Sequence, residues 1–74
     1  MTSDILILFK EPVNKQDASK ICAAIYKVTK TAVINFDPAR GKMLQVRFDP
    51  ASDVPIEILN AVRETGRDAV MAGG

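Results

Sequence analysis

The sequence has no histidine, no tryptophan, one cysteine, one tyrosine, three phenylalanines and a net charge of only +1 over 74 residues. Without histidine it lacks the commonest general acid or base and the commonest transition-metal ligand. A single cysteine, Cys22, cannot close an internal disulfide, which agrees with a reducing compartment and leaves only an intermolecular bond open. Balanced charge and few aromatic rings give neither the basic stripe nor the stacking platform of a nucleic-acid binder. The longest dense apolar block, residues 5–9, is far short of the ~20 residues that span a bilayer, and no cationic start precedes it as in a signal peptide. The expectation is a cytoplasmic protein without membrane insertion.

What is present is globular in balance: 47% hydrophobic and 26% charged residues, enough to build one core and not two, so residues 1–74 are expected to form a single domain. Residues 4–10 are rich in Ile, Leu and Phe and stop at Glu11-Pro12, which reads as a central strand buried on both faces. Residues 14–29 place Ala18, Ile21, Cys22, Ile25 and Val28 at three- and four-residue spacing on one side of a helix. Asn14 is a suitable N-cap for it, and Asp17 is placed to reach back in the manner of a capping box.

Residues 31–36 and 42–48 alternate with period two. Ala32, Ile34, Phe36, Leu44, Val46 and Phe48 face inward, and Val33, Asn35, Met43, Gln45 and Arg47 face outward. The turn Asp37-Pro38-Ala39-Arg40-Gly41 joins these strands as a hairpin. Phe-Asp-Pro-Ala occurs at residues 36–39 and again at 48–51, which predicts two strand exits built alike. Asp53 or Ser52 is the expected cap of a second helix that admits Pro55 in its first turn, runs through Ile58, Leu59 and Val62, and ends at Gly66. Residues 68–72 form a short last strand, and Gly73-Gly74 should fray. The order β, α, β, β, α, β with right-handed crossovers gives an α+β ferredoxin-like sandwich, a four-stranded antiparallel sheet with two helices on one face.

Residues 44–70, LQVRFDPASDVPIEILNAVRETGRDAV, carry Phe48-Asp49-Pro50 at a strand end, a Pro55-initiated helix with Ala61-Val62, and Glu64-Thr65-Gly66 before the last strand. In this the chain resembles the heavy-metal-associated domains of copper chaperones. That resemblance implies a Met-x-Cys-x-x-Cys loop before the helical Ile21, which falls here on Pro12, Asn14 and Asp17. None of the three supplies the soft sulfur that holds Cu(I), and one amide with one carboxylate is too few oxygens for calcium. Arg67 occupies the place where the family often has a Tyr, Phe or Lys beside the metal loop, and is expected to approach Asp17.

The resemblance further implies docking of acidic partner domains on the first helix, with Lys15, Lys20, Lys27 and Lys30 as the contact residues, opposite a second helix that displays Glu57 and Glu64. The expected function is therefore a non-catalytic docking or regulatory module that has lost its thiolate site, a monomer or weak homodimer with a protein partner and no cofactor. An alternative is copper-chaperone-like metal handling, with Cu(I) or Zn(II) held by Cys22 across a dimer or with ligands lent by a partner. A third is a subunit or regulatory domain of a larger enzyme. As a small hydrophobe Cys22 needs no such role, and Met1, Met43 and Met71 show no ligand spacing.

Overall fold

The computed structural model describes residues 1–39 and 41–73. Its elements are β1 (Ser3–Phe9), α1 (Lys15–Val28), β2 (Val33–Phe36), β3 (Met43–Phe48), α2 (Pro55–Glu64) and β4 (Ala69–Gly73). The strands form one antiparallel sheet in the order β2-β3-β1-β4, the ferredoxin-like arrangement expected from the element order. Register puts Ile7 opposite both Leu44 and Met71, and Val46 opposite both Ile5 and Ile34, so the inward residues of all four strands line one face. Ile21 and Ile25 of α1 and Ile58, Leu59 and Val62 of α2 cover that face in a single core.

The central position of β1 follows from its apolar run, but the run is buried on one face only. Ile5, Ile7 and Phe9 are buried, whereas Leu6 and Leu8 are half-exposed, because both helices lie on the other side. Residue 73 also differs from the expectation of fraying. Gly73 pairs with Ile5 at the end of β4, while Gly74, like Arg40 of the hairpin turn, lies outside the described residues.

Both Phe-Asp-Pro-Ala segments make the same turn. The Asp37 carboxylate accepts the Ala39 N–H at 3.0 Å and the Asp49 carboxylate accepts the Ala51 N–H at 2.9 Å. Each Asp carbonyl then accepts an N–H four residues on, from Gly41 and Asp53. Asx turns of this kind suit a strand exit because the side chain satisfies backbone donors that leave the ladder.

Asp53 does not cap α2. The helix begins at Pro55 with Val54 at the cap position and no side-chain cap bond. The Asp53 side chain instead turns inward, where the residue is 3% exposed. It accepts the N–H groups of Lys30 and Thr31 at 2.9 and 3.1 Å and the Thr31 hydroxyl at 2.5 Å, and that hydroxyl oxygen accepts the Asp49 N–H at 2.8 Å. These bonds tie the α1–β2 connection to the β3–α2 connection, and they explain why β2 starts at Val33 instead of Thr31.

The Thr31 hydroxyl bond, helped by the two N–H donors, holds the Asp53 carboxyl below the ordinary aspartate range against the opposing effect of burial. A carboxyl whose pKa falls on folding adds stability that is full above the unfolded aspartate pKa of ~4 and disappears as pH drops through the lower folded value. Asp53→Asn should lower the melting temperature at pH 6 by about 10 °C. It should also flatten the decline of melting temperature below pH ~4. Parallel pH profiles for the two proteins, followed by circular dichroism, would refute this account of the buried carboxylate.

Candidate functional site

The positions that the resemblance assigns to a metal loop are occupied by structural contacts. Asn14 caps α1, its side-chain oxygen accepting the Asp17 N–H at 2.8 Å. Asp17 does not reach back as a capping-box acid. Its carboxylate pairs with the Arg67 guanidinium, as expected for Arg67, joining the start of α1 to the α2–β4 turn. Both side chains are about one-third exposed, and such a pair contributes about 1 kcal/mol or less. Pro12 is exposed and offers no donor atom, and its neighbour Val13 is a core residue. An amide bound to its own helix and a carboxylate held by a guanidinium do not fit a soft cation. Among the described residues no three of His, Cys, Asp and Glu gather as a metal site.

Cys22 is half-buried on α1 and packs against the rim of the core. Burial pushes its thiol pKa up, which disfavours the thiolate that metal ligation or nucleophilic attack requires.

The lysines are arranged differently from these engaged groups. Lys15, Lys20 and Lys27 are all exposed on α1, and none forms an ion pair within the described residues. Lys20 and Lys27 share the outer side of the helix, seven residues apart and so two turns apart. Lys30, also exposed, lies beyond the helix end, where its charge favours the ionised form of Asp53. It is therefore set apart from the other three.

Beside this cationic side runs a groove of about 410 Å³ lined by Lys15, Ala18, Ser19, Cys22, Ala23, Tyr26 and Phe36. Its floor exists because α1 covers the edge strand incompletely. Ile34 and Phe36 point inward from β2 yet remain half-exposed, while their partners Val46 and Leu44 on β3 are fully buried. Tyr26, 53% exposed, stands on the helix side. Comparison with family models, curated proteins and solved structures returned no match to the chain. Its functional reading therefore rests on its own residues.

Composition and spacing single out the lysines but not the groove. The available signal is the edge of the core stripe, where Ala18 and Cys22 continue at four-residue spacing to Tyr26, with Ser19 and Ala23 alongside. Small residues flanking an exposed tyrosine leave a hollow, but its second wall comes from Phe36, which only the tertiary structure brings near. The open sheet face presents Leu6, Leu8, Val33, Met43 and Val70 with Asn35 and Gln45, and carries at one end the cross-strand pair Arg47–Asp4 at 3.0 Å. No described helix is long and apolar enough to cross a membrane.

Proposed function

We propose that this chain is a non-catalytic docking module, akin to heavy-metal-associated domains that have lost their thiolate pair, which binds an acidic protein surface through α1. The observation that carries this reading is the state of the charges on that helix. Lys15, Lys20 and Lys27 are exposed and unpaired among the described residues, while Asp17, the helix's one acid, is neutralised by Arg67. A one-signed helix face attracts an oppositely charged partner and orients its approach. The ferredoxin-like element order and the motifs of residues 44–70 support the kinship. Metal handling through Cys22 is less well supported, because a desolvated thiol with a raised pKa is a poor thiolate donor.

Lys20→Glu/Lys27→Glu reverses the face at two exposed positions and should leave the melting temperature within a few degrees of wild type, as surface changes usually do. Binding to partners captured by the wild-type chain should fall at least tenfold, and wild-type binding should itself weaken as salt rises. An unchanged set of captured proteins with the double variant would defeat the docking reading.

A further inference from the structure

We infer that the groove between α1 and edge strand β2 seats an extended acidic peptide segment, which adds to the sheet along β2 and sets one bulky apolar side chain against Cys22, Tyr26 and Phe36. This inference rests on the docking reading above and names the shape of the partner. Three features of the molecule converge on it.

First, β2 is an edge strand whose outer row of backbone N–H and C=O groups has no neighbouring strand among the described residues. Its sequence, Val-Ile-Asn-Phe, contains no charge or proline, and its ladder with β3 runs in continuous register without a bulge. Charge, proline and bulges, which commonly guard an edge against strand addition, are thus absent from β2, and its four-residue length limits an added strand to a short segment. Second, a shallow, open hollow lies beside it. Its volume of about 410 Å³ falls within the ~300–1,000 Å³ of preformed ligand clefts, and its apolar walls are the half-covered Phe36, the half-buried Cys22 and the exposed Tyr26. A strand laid along β2 sends alternate side chains toward the helix, so one of them enters this hollow.

Third, the charge of the flanks selects the segment. Lys15 lines the groove itself. Lys20 and Lys27 precede and follow Ala23, another wall residue, by three and four positions, which places them on the adjoining bank of the helix. Acidic side chains on either side of the apolar anchor would meet these ammonium groups, while a basic segment would be repelled.

The test uses a fluorescent, end-blocked peptide with a Val-Leu-Val centre flanked by three glutamates on each side, and a second peptide with serine in place of the leucine. Against the intact chain, anisotropy should show the leucine peptide binding at least tenfold more tightly, the value of burying one such side chain. The bound peptide should slow alkylation of Cys22 by iodoacetamide and slow amide exchange within Val33–Phe36, each by about tenfold or more. Ala23→Glu, an exposed helix position that places bulk and negative charge on the groove wall, should abolish these effects without changing the melting temperature.

Equal binding of the two peptides, with Cys22 and β2 unprotected, would overturn the groove, and sensitivity of that binding to Lys20→Glu/Lys27→Glu would leave the docking reading standing. Absence of binding by either peptide would likewise overturn it, with the docking reading judged separately by the captured partners. Anchor-dependent binding in a chain whose captured partners ignore the lysine reversals would uphold the groove and remove the acidic partner.

Discussion

Phe48→Ala should abolish cooperative thermal unfolding at 37 °C or leave a chain that melts near that temperature. Phe48 is 1% exposed, closes β3, and belongs to the core cluster that also holds buried residues of both helices. Removing a buried phenylalanine costs about 3–5 kcal/mol, since the lost transfer energy is joined by the cost of the cavity left behind. At 0.05–0.15 kcal/mol per residue, a chain of this length has about 4–11 kcal/mol in total. The single truncation therefore removes about a quarter or more of the stability, and at the lower end most or all of it. Circular dichroism melts and a urea titration would check this, and a midpoint within about 5 °C of wild type would show that the core is not the continuous unit described above.

The same small reserve explains why the fold was legible in the sequence. A chain this short cannot bury much surface, so each inward position of β3 is strongly apolar and the alternation of Leu44, Val46 and Phe48 against Gln45 and Arg47 is clear. The α1 stripe and its Asn14 cap were equally plain, because both depend on residues close in sequence. Legibility failed where a side chain had more than one use. Asp53 precedes a helix and is a good cap by type, yet three donors from residues 30 and 31 compete for it, and a contact across more than twenty residues has no local signature. Asp17 likewise pairs with Arg67 in place of its own helix start, a contact expected only from the place that the resemblance gives Arg67 and not from any local pattern.

The candidate site divides along the same line. The lysines of α1 could be read because exposed charge on a helix face is a matter of spacing. The groove beside them could not, because its depth is set by what α1 fails to cover. Ile34 and Phe36 read as inward residues of β2 and are so placed, but their half-exposure depends on where the helix lies across the sheet. Apolar periodicity reports which face of an element turns inward. It does not report how completely the facing layer closes over it, and in a two-layer sandwich the edge strand is where closure is least complete. The same limit accounts for β1, where Leu6 and Leu8 suggested a second covered face that this chain alone does not supply.

Gly41→Ala should destabilise the protein by about 2–4 kcal/mol, a large effect for a single methyl group in a turn. Gly41 has φ +66°, a left-handed conformation that costs a residue with a Cβ about 1–2 kcal/mol. An added Cβ would also stand 2.9 Å from the Val13 carbonyl oxygen and 3.3 Å from the Val13 nitrogen, and these are backbone atoms that cannot swing aside. The crowding arises from a specific bond: the Val13 N–H donates to the Gly41 carbonyl at 2.6 Å, fastening the β1–α1 loop to the β2–β3 hairpin. Val13 is 2% exposed, so displacing its backbone would both loosen a core residue and leave a buried N–H short of its acceptor. Gly66 provides the control. It too has a positive φ, of 92°, but a Cβ there meets nothing within 4 Å, so Gly66→Ala should carry the conformational cost alone, about half the loss or less. Equal losses for the two variants in chemical denaturation would mean that backbone strain, and not the contact with Val13, accounts for the effect at Gly41.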